Sequence, residues 1–190
     1  MDRISKTVRL ICAFHQNSKK IKNIPSCVSK YVIINYKIYF RRNLIMAIKM
    51  RYLHKAKNPK IVALGEQFVQ KYDLKDNKNA FDIIPPAYSC DKERLVILAL
   101  TVKKDPDDVV RRFCAELDKK KTANVALVID GTPEAAAKIV EVLKNAGTNV
   151  AEKIHYVKSA GFLNLNGKVT PEEVADFLGW VQEVIDTYVK

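Results

Sequence analysis

Glycine is scarce in this sequence, and its distribution divides the chain. The 190 residues include six glycines, none of which lies among residues 1–45, a segment that also has no glutamate. No GxGxxG, Walker-type lysine loop, HExxH or GxSxG pattern occurs, so the usual sequence signals for dinucleotide binding, P-loop phosphate binding, zinc peptidases and serine hydrolases are missing. The function must be sought in the fold and in less regular features.

Long apolar runs and paired cysteines are also missing. The apolar stretch Val32–Phe40 is too short and too polar to span a membrane, and the first residues do not form a convincing secretory signal. The four cysteines have neither CxxC nor metal-ligand spacing; they are Cys12, Cys27, Cys90 and Cys114. We therefore expect reduced thiols, a cytoplasmic protein and a buried Cys114.

The net charge of +12 is concentrated in the first 45 residues. These hold ten Lys and Arg against one Asp, a net +9, whereas residues 46–190 hold 23 against 20, a net +3. Ile, Lys, Asn and Tyr make up 21 of the 45 residues, as in translated A/T-rich DNA, and codons for Arg41–Asn43 can contain a ribosome-binding sequence ahead of Met46.

Two interpretations of this basic tail stay open. We hypothesise that translation starts at Met46 and that residues 1–45 are a mis-assigned upstream extension. The alternative is a genuine, disordered basic arm that binds nucleic acid or anionic surfaces. The expected organisation is thus a tail, residues 1–45, followed by one domain, residues 46–190.

Alternating strand and helix patterns predict an α/β domain after the tail. Period-two alternation from Met46 to Leu53 predicts a strand, and the apolar spacing from Pro59 to Tyr72 predicts an amphipathic helix capped by Asn58. Further strands are predicted at Ala80–Ile84, Arg94–Thr101, Asn124–Asp130 and Val150–Val157, and further helices begin near Asp105, Thr132 and Thr170. This order implies a parallel sheet with right-handed crossovers and helices on both faces.

The order of elements and several short stretches resemble the flavodoxin family over about residues 46–189. The resemblance rests on Tyr52–Lys60, which runs along the family's Ser-x-Thr-Gly-Asn-Thr loop, on the Gly131 turn, on Ala146-Gly147, on Gly161-Phe162 before Gly167-Lys168, and on Trp180 in the closing helix. It implies a flavodoxin-like three-layer sandwich with a five-stranded parallel sheet in the order 2-1-3-4-5. It also implies an FMN-binding protein that passes electrons between redox partner proteins.

The resemblance places the FMN contacts in three segments. They are His54, Lys55, Ala56, Lys57, Asn58, Pro59 and Lys60 in the first turn, Thr101, Val102 and Lys103 after the third strand, and Gly131 and Thr132 after the fourth. In the first turn only Asn58 matches the family's loop. Pro59 removes a backbone donor, and Lys57 stands at the glycine position. The lysines either hold an anion by charge, or the site has been lost and they form a solvated turn.

The loops after the third and fourth strands contain no aromatic residue to stack on a flavin ring. Tyr88 and Trp180 lie elsewhere, and we expect them to be packing or surface residues. The alternative function is therefore a flavin-free flavodoxin-fold binding or regulatory module. An electron carrier or a binding protein is expected rather than an enzyme with its own substrate, and neither a catalytic residue nor a metal site is predicted.

Charge on the first strand raises the question of partners. Lys49 and Arg51 would share one face of an internal strand, where uncompensated charges are costly. Either that face is poorly covered, or the side chains reach the end of the sheet, or a partner covers them, and a homodimer is one such arrangement. No membrane partner is expected, and nucleic acid is expected only if residues 1–45 are genuine.

Overall fold

A computed structural model describes residues 49–75, 77, 79–157 and 168–189, all of which belong to the compact unit Leu44–Lys190. The basic tail, the first residues of the predicted first strand and most of the glycine-marked loop before the last helix lie outside the described residues.

Strands and helices alternate along the described chain. The strands are β1 (Met50–Lys55), β2 (Phe81–Ile83), β3 (Leu95–Val102), β4 (Asn124–Gly131), β5 (Asn149–Val150) and β6 (His155–Tyr156), and the helices are α1 (Pro59–Lys71), α2 (Asp108–Glu116), α3 (Pro133–Asn145) and α4 (Pro171–Tyr188). The single predicted last strand is present as two short strands, β5 and β6.

All strand pairs are parallel, in the order β2-β1-β3-β4, with both β5 and β6 pairing with β4. If β5 and β6 are counted as one interrupted edge strand, this is the predicted order 2-1-3-4-5. The α/β class and the flavodoxin-like sandwich architecture are therefore confirmed. Parallel pairing also places the carboxyl ends of β1, β3 and β4 at one edge of the sheet, where open α/β sheets bind ligands.

Each face of the sheet carries its own hydrophobic core. Tyr52 of β1, Phe68 of α1 and Phe177 of α4 belong to one core, while Leu98 of β3, Cys114 of α2 and Ile139 of α3 belong to the other. Residues 95–100 are all buried because β3 has a helical layer on both sides, which accounts for its continuous apolar run.

The helices begin where their capping residues lie. Asn58, Asp107, Thr132 and Thr170 are the N-caps of α1, α2, α3 and α4, and each side chain accepts a hydrogen bond from a backbone N–H of the first turn. The Thr170–Glu173 capping box is also present. Helix α2 begins at Asp108, later than the acidic run suggested, because Asp107 rather than Asp105 supplies the cap.

The face of β1 that carries Arg51 is covered by the chain's own crossover between β2 and β3. The Arg51 guanidinium is 1% exposed. Its Nε donates to the Asn79 carbonyl at 2.7 Å and its Nη1 to the Tyr88 carbonyl at 3.0 Å. Lys49, by contrast, is exposed at the end of the sheet. The buried charge of Arg51 therefore does not require a second protein chain to cover it, because main-chain carbonyls and Glu93, 4.0 Å away, compensate it.

Among the described residues, none of the helices combines the length and apolar character that crossing a lipid bilayer requires.

Candidate functional site

The turn between β1 and α1 satisfies its own backbone donors. The Lys57 N–H donates to Thr101 Oγ1 at 3.1 Å, and the Lys60 N–H donates to Asn58 Oδ1 at 3.0 Å. The Ile61 N–H donates to the Asn58 carbonyl at 3.1 Å, and Pro59 has no N–H. A phosphate at a helix N-terminus is normally held by such free donors, and here three of them are already used within the chain.

Lys60 is directed away from the turn and into the layer between α1 and α4. Its Nζ lies 2.6 Å from Glu173 Oε1, and its side chain is 8% exposed. Breaking a largely buried pair leaves an uncompensated charge and is costly. Lys60 is one of the three lysines expected to hold an anion, but its ammonium group instead links helices α1 and α4.

The other two lysines of the turn differ from each other. Lys55 ends β1 and its Nζ lies 3.5 Å from Asp107 Oδ2, across the carboxyl edge of the sheet. Lys57 is exposed and has no ion-pair partner among the described residues. Ala56, between them, packs against the core that contains Tyr52. Within the described part of the chain, Lys57 is therefore the only lysine of this turn whose ammonium group has no ion-pair partner.

Asn58 is buried at the start of α1 and retains one unsatisfied donor. Its Oδ1 caps the helix, but its Nδ2 is buried and has no hydrogen-bond partner in the described part of the chain. An unsatisfied buried donor costs about 1–3 kcal/mol. Asn58 is also the one position at which this turn matches the flavodoxin loop, so a ligand oxygen at this point would satisfy Nδ2.

A hydrogen-bonded chain joins the turn to the ends of β3 and β4. Thr101 Oγ1 accepts from the Lys57 N–H and donates to Asp130 Oδ2 at 3.2 Å. This arrangement brings the first turn together with the ends of β3 and β4. Asp130 was not among the residues predicted for the site, although its position at the end of a buried strand could be read from the sequence.

The loops after β3 and β4 lie against each other. A Cβ placed on Gly131 would lie 1.8 Å from the Val102 carbonyl oxygen, so only glycine fits. Thr132 caps α3, while Lys103 is exposed beside the edge. Neither loop contains an aromatic side chain. Trp180 is 5% exposed and its Nε1 donates to the Lys153 carbonyl, which makes it a packing residue, whereas Tyr88 is 66% exposed.

The His54 side chain, on β1, packs against Phe81 of β2 rather than lying in the turn. It is 9% exposed and its ring centroid lies 4.9 Å from that of Phe81. Burial lowers the pKa of His54, and the nearby Asp82 carboxylate opposes this effect only in part. A neutral, packed imidazole of this kind is suited to a structural role.

Chemically, the assembled edge can accept a small anion or a hydrogen-bonding ligand. In the described part of the chain, no three metal-ligating side chains come together, and the two described cysteines, Cys90 and Cys114, are buried free thiols. Comparison with known proteins adds no assignment, because no family model, curated protein or solved structure matches this chain.

Proposed function

We propose that this chain is a flavodoxin-fold binding or regulatory module whose β1–α1 turn does not hold the FMN phosphate. The observation that carries the proposal is the use of the turn's donors within the chain. The backbone N–H groups of Lys57 and Lys60 both donate hydrogen bonds to side-chain oxygens, and the Lys60 ammonium group is paired with Glu173.

The hydrogen-bond donors of the β1–α1 turn are poorly suited to the FMN phosphate, because they already have partners within the chain. FMN binding would have to break the Lys57–Thr101 hydrogen bond or separate Lys60 from Glu173, and each loss would offset part of the binding free energy. The loops after β3 and β4 would also leave the flavin ring without an aromatic partner from those loops.

A second candidate function, an FMN-binding electron carrier, is favoured by one observation. The Asn58 Nδ2 group is a buried donor without a described partner, at the one position where this turn matches the family's loop. In that case Asn58, Lys57 and Thr101 would hold the phosphate, Lys103, Gly131 and Thr132 would border the ring, and FMN would supply the redox chemistry.

The two functions are separated by the visible spectrum of the purified full chain and by titration with FMN, followed as quenching of flavin fluorescence. We expect a colourless protein and no saturable quenching. A yellow protein, or quenching that saturates at one FMN per chain, would refute the proposal of a flavin-free module and support an FMN-binding electron carrier.

If FMN binds, a matched pair of variants determines whether it binds at the β1–α1 turn. Lys57→Ala removes the free ammonium group at the turn, whereas Lys144→Ala removes an exposed lysine at the end of α3. If FMN is held at this turn, Lys57→Ala weakens binding about tenfold or more, as expected for the loss of a charge-assisted contact, and Lys144→Ala leaves it unchanged. Equal affinities of both variants would place the flavin elsewhere.

A further inference from the structure

A cluster of basic side chains lies at the opposite edge of the sheet, where β1, β3 and β4 begin. We call it the basic edge; it consists of Lys49, Lys92, Arg94, Lys119 and Lys120. Backbone hydrogen bonds fix the three contributing segments against one another. The Arg94 N–H donates to the Lys49 carbonyl at 2.8 Å, and the Lys92 N–H donates to the Lys120 carbonyl at 3.2 Å.

The cations of the basic edge are not held in close ion pairs by the carboxylates around them. All five side chains are exposed, and within residues 49–75, 77, 79–157 and 168–189 none forms an ion pair. Three of the four acids in these segments have other partners; the fourth, Asp91, is exposed, and its carbonyl accepts from Lys49 Nζ at 3.3 Å. Glu93 lies 4.0 Å from Arg51 and Glu116 lies 3.6 Å from Lys121. Asp118 Oδ1 accepts the N–H groups of Lys120 and Lys121.

Local charge balance makes this edge the basic part of the domain. Lys49, Arg51 and the segments 91–94 and 116–121 together carry a net charge of +3, which equals the net charge of residues 46–190 as a whole. The remaining residues of the domain are therefore neutral in sum. In the sequence, three residues separate Lys49 from the tail, which carries a net +9 over residues 1–45.

An exposed aromatic side chain is anchored beside these cations. Tyr88 is 66% exposed, and its carbonyl accepts from Arg51 Nη1 at 3.0 Å. The same Nη1 lies 4.0 Å from Glu93, which stands between Lys92 and Arg94. A positively charged surface beside an aromatic ring is the combination that binds single-stranded nucleic acid, since cations track the phosphates and the ring stacks on a base.

We propose that the basic edge and Tyr88 form a binding surface for single-stranded nucleic acid. The cations neutralise backbone phosphates and release counterions, and the Tyr88 ring stacks on one base. This inference is independent of the proposed function, because it concerns the edge opposite the β1–α1 turn.

The test uses the full chain and a fluorescein-labelled oligothymidylate, with binding followed by fluorescence anisotropy over a range of salt concentrations. The combined variant Arg94→Ala, Lys119→Ala, Lys120→Ala removes three phosphate contacts. We expect at least a tenfold loss of affinity at low salt and a log–log salt slope reduced by about two, from about 0.7 per phosphate on a single strand. The matched control, Arg112→Ala with Lys144→Ala and Lys71→Ala, removes three exposed cations from α2, α3 and α1 and is expected to change affinity less than twofold.

The aromatic contact is tested separately. Tyr88→Ala is expected to weaken binding about tenfold with an unchanged salt slope, and Tyr88→Phe is expected to bind as the parent does. Circular dichroism of every variant checks that these exposed substitutions leave the fold intact.

Three results would overturn the proposal. If the edge variants bind as tightly as the parent, the tail alone carries the binding. If Tyr88→Ala has no effect, the surface has no base contact. If polyglutamate or vesicles containing anionic phospholipid bind more tightly than the oligonucleotide, the partner belongs to another class of macromolecule.

Discussion

Replacing Arg51 by methionine is the most direct test of how two segments are held: Asn79 before β2 and the helix-free crossover between β2 and β3. The guanidinium is buried, and its Nε and Nη1 donate to the carbonyls of Asn79 and Tyr88 at 2.7 and 3.0 Å. Nη1 also lies 3.5 Å from Cys90 Sγ. Methionine fills a similar volume but donates no hydrogen bond, so the two carbonyls lose these donors.

The magnitude follows from these contacts. Two hydrogen bonds from a charged donor contribute about 1.5–3 kcal/mol each, and Glu93 loses its neighbouring cation. The loss is partly offset because Arg51 Nη2, which is buried and has no hydrogen-bond partner among the described residues, disappears as well. We expect a net loss of about 3 kcal/mol in the free energy of unfolding, within the range found when one member of a buried pair is removed, and a fall in Tm of about 6–12 °C.

The assay is equilibrium unfolding in urea of the full chain, with Arg112→Met as the control. Arg112 is exposed on α2, and substitutions at such positions change stability by no more than about 0.5 kcal/mol. Amide hydrogen exchange provides a local readout, because the crossover around Tyr88 should open before the sheet does. A stability loss below about 0.5 kcal/mol for Arg51→Met would refute the view that this side chain holds the crossover.

Three further predictions concern glycine packing, helix capping and pH. Gly131→Ala should destabilise the protein by about 2–3 kcal/mol in urea unfolding, because its Cβ meets the Val102 carbonyl oxygen at 1.8 Å. Gly179→Ala, whose Cβ meets no atom within 4 Å on a helix, should stabilise it by about 0.5–1 kcal/mol; a loss at this position would contradict the packing. Asn58→Ala should lower the urea midpoint by an amount equivalent to about 1 kcal/mol through loss of the α1 cap, and Asn58→Asp should restore it; equal midpoints for the two variants would argue against capping. Burial lowers the pKa of His54 in the folded state, so the unfolded chain binds more protons as the pH falls through the ordinary histidine pKa of about 6.5. The free energy of unfolding should therefore drop from pH 7 to pH 5. An undiminished drop in a His54→Gln variant would refute this assignment.

Local patterns were enough to predict most elements. Thr132 and Thr170 cap α3 and α4 as their positions before a proline suggested, and the continuous apolar run of β3 lies in the middle of the sheet. These features are readable because capping and periodicity depend on residues within one or two turns. The interruption between β5 and β6 was not predicted, since the apolar pattern continues through it.

The candidate site was predictable in place but not in chemistry. Strand order fixed where Lys57, Thr101 and Gly131 would meet. It did not reveal that Lys60 pairs with Glu173, more than a hundred residues away in sequence, or that Thr101 takes the Lys57 N–H and donates to Asp130. These pairings depend on side-chain directions in the packed layers, on which local periodicity carries no information.

By itself, the sequence determined the α/β class, the caps Asn58, Thr132 and Thr170 and the uneven distribution of charge, because each follows from local spacing or composition. The strand order was expected from the resemblance to the flavodoxin family. Only the tertiary structure decided the roles of the individual charges. It buried Arg51 beneath the crossover, committed Lys60 to an ion pair between two helices and left Lys57 exposed at the turn. Burial and partner choice arise between segments distant in the chain, and they determine whether the same side chain holds the fold together or stays available to a ligand.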